Sequence, residues 1–451
     1  MTERTTKARV KKGEQTNYDD SKLSADKVIS KRVLGGPQVC MYTGSETNLK
    51  TLLTLCRLDL CDGRLGLDHV SSVLPVSDAE WRGVLECALN HGLAGLLYRA
   101  VANANFISPA ALQPIRTAAL AQTSRSCRLS AELLEILATF RNLDIEALVL
   151  KGPAVAVRFY RHISLREFCD LDILVHPADV DRASLVLEQR GYRTTPRTAA
   201  IDELSRKGQH HFIFFRDEDN AEVELHWALN SYLERAPLEG TGLWSRIHSV
   251  LLWDQPLPSL GIEDTLLFLC VHGFKHRWSR LNWLTDIAYI LRSKEQIDWD
   301  ALVLRSREIG CHRMLLVSLG LASSLLGSVV PPEIEKLADA DPMTFNLVEQ
   351  IRAALLNDTP IDNVGAIMYH LRARERFRDH FVTAFRLLRR IWRLTAADGL
   401  SGNRRASTKL AAAFRRPVRL YKTFGLAWVK SVFRFRRFGS RSESCRGALH
   451  S

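Results

Sequence analysis

Apolar positions along the chain fall into three textures. From Leu49 they recur at helical spacing: Asn48-Leu-Lys-Thr-Leu-Leu-Thr-Leu-Cys reads as one helix. Ser77-Asp-Ala-Glu opens another with a capping box, ahead of Trp81, Val84, Leu85 and Leu89. Further helices are predicted over 93–104, 109–122 and 125–142. The texture then changes. Glu146-Ala-Leu-Val-Leu is a short apolar run, the mark of a buried strand. Lys151-Gly152-Pro153 makes a sharp turn with proline at the first helical position, and a helix continues over 154–160. Beyond a polar loop over 161–168, Asp170-Leu-Asp-Ile-Leu-Val predicts a second strand. A helix over 177–190 presents Ala178, Val180, Ala183, Leu185 and Leu187 as its apolar side and Gly191 as its C-terminal cap. Strands over 210–215 and 222–226 flank Asp217-Glu-Asp-Asn, turn chemistry that makes them a hairpin. From Glu234 helices return, most clearly over 263–275, 279–291, 299–309 and 311–326, with two or three more over 341–396.

The predicted fold class is therefore an α/β core, a small mixed sheet with helices, embedded between mainly helical N- and C-terminal regions. The expected divisions are a basic N-terminus over 1–45, a helical region over 46–142, the α/β core over 143–232, a helical domain over 233–345 and a basic tail over 346–451. Residues 1–45 lack apolar periodicity and read as disordered. No run reaches the length of about 18 apolar residues that a membrane span needs. The charged opening stretch has no apolar segment behind it, so no secretory signal is expected there.

Composition alters this picture only through the placement of charge. The chain carries 62 Lys/Arg and 50 Asp/Glu, yet 21 of the former and 4 of the latter lie from Leu371 onward. That leaves a mildly acidic body and a strongly basic tail, so any anionic partner belongs to the tail. Its interleaved Arg and aromatic residues, as in Val432-Phe-Arg-Phe-Arg-Arg-Phe, suit an anionic membrane surface, nucleic acid or a merely solvated tail. The nine cysteines form no C-x-x-C pair and read as reduced thiols, which implies a cytoplasmic protein, with any peripheral contact at the inner face of the membrane assigned to the tail.

The chemistry concentrates at Asp170-Leu171-Asp172. On a strand, residues i and i+2 share a face about 6.5–7 Å apart. Two carboxylates so placed repel each other unless a cation lies between them. Taken alone, the pair reads first as the solvated face of an edge strand. Glu222-Val-Glu-Leu-His-Trp puts Glu222, Glu224 and His226 on one strand face, so a third carboxylate on a neighbouring strand completes a metal site or acts as a base. Lys151-Gly152, between a strand and a helix, suits phosphate. His210 and His211 alternate, so one of them faces the site, and His211 is expected to pair across the hairpin with the strand that carries His226. His272 and His276 lie one helical turn apart with no third ligand evident. They are expected to line a cleft or pack, with Asp286 hydrogen-bonding one of them.

The order Lys-Gly, Arg166, Asp-Leu-Asp-Ile-Leu-Val, Gly191-Tyr192, Val-Glu-Leu-His-Trp resembles the uncharacterised nucleotidyltransferase family of the polymerase-β-like superfamily. Trp81 and Asn90-His91-Gly92-Leu93 resemble its helical lead-in, and His272, His276, Trp278 and Trp283-Leu-Thr-Asp-Ile-Ala its following helices; the likeness covers about 49–332. The resemblance implies a polymerase-β-like core, Asp170, Asp172 and Glu224 as catalytic carboxylates binding Mg²⁺ or Mn²⁺, and Gly152 at a triphosphate-binding turn. Lys151, Arg166, His211 and His226 are the further expected substrate contacts. The implied partners are an NTP donor and an unidentified hydroxyl acceptor: a small molecule, a glycan intermediate or a protein. The sequence departs from the superfamily in having Gly152-Pro153 at the turn and Glu in place of the third Asp. The alternative reading is a catalytically inactive protein of the same fold that recruits a membrane or nucleic-acid partner through its basic tail.

Overall fold

A mixed six-stranded sheet organises the molecule. The computed structural model describes residues 46–60, 74–194, 210–229, 242–356 and 363–375. β1 (Ala147–Val149) pairs antiparallel with β2 (Asp170–Val175), and β2 runs parallel to β4 (Ala221–His226). β4 forms a hairpin with β3 (His211–Arg216). On the other side β1 lies parallel to β6 (Gln255–Leu260), which forms a second hairpin with β5 (Ile247–Leu252). The strand order is β3-β4-β2-β1-β6-β5.

Alternation along β2 decides what each sheet face does. Leu171, Ile173 and Val175 enter one core with Ala147 and Val149 of β1 and Val223 and Leu225 of β4. The second half of α4 (Pro109–Asn142) and α5 (Val180–Gln189) close this side. The buried residues of α5 include Val180, Ala183, Val186 and Leu187, whereas Leu185, expected on its apolar side, is 57% exposed. The opposite face carries Leu148, Leu150 and Leu174 into a larger core. That core joins α1 (Glu46–Leu60), α2 (Asp78–His91) and α3 (Ala94–Val101) to α6 (Ile262–Lys275), α7 (Leu281–Arg292), α8 (Trp299–Ile309) and α9 (His312–Leu326). Helices from before and after the sheet thus share one interior. Arg57 of α1 ties them further by donating to the carbonyls of Leu325 and Ser324, at 2.8 and 3.1 Å.

Two expectations needed correction. The break expected between 122 and 125 is absent, and α4 is one helix of 34 residues. Its polar run reads as a loop by composition, but the Thr123 hydroxyl bonds back to the Ala119 carbonyl and Gln122 and Ser126 are buried. Conversely, β5 and β6 occupy a stretch read as helical. Pro256 and Pro258 disguise β6, since proline lacks the N–H that a central strand uses. The sheet tolerates them because β6 and β1 share the single registered pair Val149↔Ser259. The hairpin turns on Trp253 and Asp254, both at positive φ (49° and 62°), without the Asn-Gly signature of such turns.

The capping box forms as expected at Ser77 and Glu80. Among the described residues no helix is long and apolar enough to cross a membrane. Cys56, Cys87, Cys127, Cys169, Cys270 and Cys311 are all free thiols. The N-terminus expected to be disordered and nearly all of the basic tail, from residue 376, lie outside the described residues.

His91, at the end of α2, sits at the junction of the two helical regions. Its Nδ1 accepts the Leu281 N–H at 3.3 Å, and burial, aided by the Arg280 charge, pushes its pKa down to about 4. A histidine depressed in the fold stays neutral there while the unfolded chain protonates. Its stabilising effect is full above the unfolded value near 6.5 and is lost as pH falls toward the folded value. Stability should therefore fall by up to about 2 kcal/mol through this one group between about pH 6.5 and 5. Thermal denaturation across that range should show a shallower decline in His91→Gln, whose amide oxygen can accept the same bond without titrating. Equal slopes in the two proteins would remove His91 from the account.

Candidate active site

The parallel β2–β4 register sets Asp170 opposite Glu222, Asp172 opposite Glu224 and Leu174 opposite His226. Alternation then projects the acidic residues from the face that looks toward the larger helical core. Lys151, the first residue past Leu150, reaches onto that face. Its Nζ lies 2.8 Å from Asp170 Oδ1 and 2.6 Å from Asp172 Oδ2. Gly152, next in the chain, adopts φ 62° and ψ −122°, a conformation that L side chains rarely take. Pro153 starts a single helical turn, Pro153–Val155, that widens into a π-helical segment, Ala156–Tyr160, where an ordinary helix was expected.

His226 completes the cluster. Its Nε2 lies 3.3 Å from Asp172 Oδ1 and 3.2 Å from Glu224 Oε2. Because both partners are carboxylates, Nε2 carries the proton and donates. His211 pairs across the hairpin with His226, as expected, and its Nε2 is 4.0 Å from Glu224 Oε2.

Charge and burial pull these groups in different directions. Asp172 is only 2% exposed. Burial, with the charges of Asp172 and Glu224, raises the pKa of Asp170 despite Lys151. Glu224 is held well below its usual range: burial opposes this, but the His226 hydrogen bond and the fields of His211, His226 and Lys151 prevail. Burial likewise disfavours the Lys151 ammonium, yet Asp170, Asp172 and Glu224 together keep its pKa above the ordinary lysine range. The lysine is thus the internal counter-ion of the acidic cluster.

His210 was expected to point away from His211. It precedes the first residue of β3, so strand alternation does not govern it, and its ring centroid lies 4.6 Å from that of His211 and 6.0 Å from that of His226. His272 of α6 and His276, the residue that ends it, pack ring to ring at 4.7 Å, with Trp283 of α7 at 5.6 and 5.0 Å. Burial, the His276 imidazole and the Lys151 charge push His272 well below its usual range.

Asp286 bonds neither of those histidines. It receives Arg166 in a bidentate pair, Nε to Oδ1 and Nη2 to Oδ2, both at 2.7 Å. Tyr160 adds its hydroxyl to Asp286 Oδ1 at 2.8 Å. The Arg166 side chain, expected at the substrate, is thereby committed to α7. The loop over 161–168 is pinned: Ile163, Leu165, Arg166 and Phe168 are buried, and Gln122 bridges the Gly95 N–H and the Ser164 carbonyl. A side chain at Gly95 would place its Cβ 2.1 Å from the Ser164 oxygen, so glycine there is what admits the loop. A cavity of about 1400 Å³ behind that loop, lined by Tyr98, Arg158, Arg161 and Tyr289 among others, does not include Asp170, Asp172 or Glu224.

The model of a family described as uncharacterised nucleotidyltransferase matches residues 77–327, more than half of the chain. No curated protein matches it in sequence. Among solved structures, the solution structure of antibiotic-resistance factor ANT(2'')-Ia is 13% identical, covers 51% of this chain and 98% of its own, and has a TM-score of 0.26. An antigenic nucleotidyltransferase-like protein from Paracoccidioides brasiliensis is 14% identical, covers 45% of this chain and 93% of its own, and has a TM-score of 0.32. Likenesses of that size carry no weight for function.

Proposed function

The chain belongs to the uncharacterised nucleotidyltransferase family, and from that premise we propose that it moves a nucleoside monophosphate from an NTP to a hydroxyl of an acceptor, a small molecule, a glycan intermediate or a protein. Asp170, Asp172 and Glu224 are the catalytic carboxylates of this reading and the ligands of a divalent cation, Mg²⁺ or Mn²⁺. The observation that carries it is the carboxylate cluster on two parallel strands, its charge partly offset by one buried lysine.

The donors suit such an ion. Carboxylate oxygens are hard ligands, and Mg²⁺ is commonly held by one or two of them with substrate phosphates. Carboxylate oxygens of Asp172 and Glu224 lie within 4.8 Å of each other, and the Lys151 ammonium bridges Asp172 to Asp170. An ion bound there supplies positive charge to the triphosphate and Lewis acidity at the reacting phosphoryl group.

The protein's own groups have distinct tasks. His226 holds Asp172 and Glu224 in place through its Nε2–H. Lys151 holds Asp170 and Asp172 through its ammonium and, were a cation bound by those carboxylates, would be free to donate to the phosphates of the NTP. Gly152 leaves the backbone open for phosphate to approach, and His211 lines the substrate side at the hairpin edge. Arg166 is a positioning residue, fixing the loop that leads into β2. In the reaction the acceptor oxygen bonds to the α-phosphorus and the bond from that phosphorus to the α–β bridging oxygen breaks. Pyrophosphate leaves with the electron pair, and the acceptor's proton passes to a carboxylate of the cluster.

Calorimetric titration of each of the four NTPs with Mg²⁺, into wild type and into Asp170→Asn/Asp172→Asn, tests this. The expected result is metal-dependent binding of at least one NTP, weakened by about 100-fold or more in the variant, a loss of roughly 2.7 kcal/mol. Absence of binding by every NTP at millimolar concentration to folded wild type would overturn the reading.

A further inference from the structure

Three histidines meet beside the carboxylates in a way that nucleotidyl transfer does not require. The His211 and His226 ring centroids are 4.9 Å apart, and His210 approaches His211 to 4.6 Å. One ring nitrogen from each of the three lies within 4.8 Å of the others. The Nδ1 atoms of His210, His211 and His226 are all buried without a hydrogen-bond partner. Each such atom costs about 1–3 kcal/mol, so three in one place are expensive as packing and ordinary as a ligand set.

We propose that His210, His211 and His226 bind a transition-metal ion of the Zn²⁺ class, at a site distinct from the carboxylate set but sharing His226 with it. Nitrogen donors select zinc, cobalt or copper over Mg²⁺. A tetrahedral zinc with Zn–N near 2.1 Å needs nitrogens about 3.4 Å apart, so side-chain rotations closing roughly 1.4 Å complete the site. His226 is already oriented for it. Its Nε2–H is given to Asp172 and Glu224, which leaves the Nδ1 lone pair for a metal. Histidine ligands are characteristically held by carboxylates through their second nitrogen in this way. The other two imidazoles stand beside it, their ring centroids 6.0 and 4.9 Å from that of His226 and their Nδ1 atoms buried without a partner. Three protein ligands leave a fourth position open, next to Glu224, for water or a substrate oxygen.

The test uses untagged full-length protein stripped with a chelator and titrated with Co²⁺ alone, without nucleotide, so that its outcome is independent of NTP binding. One equivalent is expected to bind with a visible tetrahedral d–d band. His210→Ala and His211→Ala, checked for folding by circular dichroism, should weaken binding by about 10-fold or more. His211→Cys should keep the ion and add a thiolate-to-cobalt charge-transfer band, which a packing role would not produce. X-ray absorption on the zinc-loaded wild type should show imidazole nitrogens in the first shell. The proposal is overturned if the stripped protein takes up no Co²⁺, or if the first shell is oxygen alone. It is also overturned if both alanine variants bind like wild type while Asp172→Asn releases the ion, which would put it on the carboxylates.

Discussion

Lys151→Met is expected to destabilise the protein by about 3–5 kcal/mol in the absence of divalent cations, the usual cost of removing one member of a buried ion pair. The Lys151 and Asp172 side chains are only 8% and 2% exposed, so solvent does little to replace the lost charge. Three carboxylates then face one another without a counter-ion. Asp170, already raised by burial and by its acidic neighbours, should rise further. A carboxylate whose folded pKa lies above its unfolded value contributes stability that is present below the unfolded value and lost as pH climbs through the folded one. The deficit of the variant should therefore grow from acid toward neutral pH. If the cluster accepts Mg²⁺ or Mn²⁺, the ion can do what the ammonium did. At 100 times its dissociation constant a ligand returns about 2.7 kcal/mol, so Mg²⁺ should raise the melting temperature of Lys151→Met more than that of wild type. Chemical denaturation with and without Mg²⁺ reads both effects. A variant as stable as wild type, or one whose loss no divalent cation relieves, would remove Lys151 as the stand-in for a cation.

The same cluster shows what a sequence can reveal. Asp170–Val175 was expected as a strand over those very residues, because acidic and apolar positions alternate over its first four residues and a short apolar run completes it. α8 was likewise legible at both ends, with Asp298 capping its start and Gly310 at φ 80° ending it. Local rules carry such elements. What they do not carry is partnership at a distance. Lys151 was expected to meet phosphate, and only the β1–β2 pairing, closing 19 residues, brings its ammonium to Asp170. Arg166 and Asp286 are 120 residues apart, and no spacing links them. His210 was misdirected by a strand period applied one residue beyond the strand. β5 and β6 were hidden by prolines and by a turn made from Trp253 and Asp254, residues whose identity does not announce positive φ.

Asp286→Ala should cost a further 3–5 kcal/mol or so, by the same reasoning applied to the most deeply buried pair in the core of the site. Arg166 is 4% exposed and Asp286 0%, and their two parallel bonds at 2.7 Å satisfy both oxygens. Removing the carboxylate strands a guanidinium that cannot discard its proton, and it takes from Tyr160 the stronger of its two partners, leaving Thr285 at 3.0 Å. Arg166→Met/Asp286→Leu, which deletes both charges and keeps volume, should be markedly more stable than either single loss, a coupling read by a double-mutant cycle in urea. The consequence reaches the site. Tyr160 ends the segment that begins at Gly152, and Arg166 lies four residues before Asp170, so this one carboxylate on α7 braces both approaches to the cluster. On the proposed reaction, the double variant should fold yet bind Mg²⁺ and NTP more weakly than wild type, although neither residue touches them. If it binds both as tightly as wild type, the pair stabilises the core without positioning the cluster.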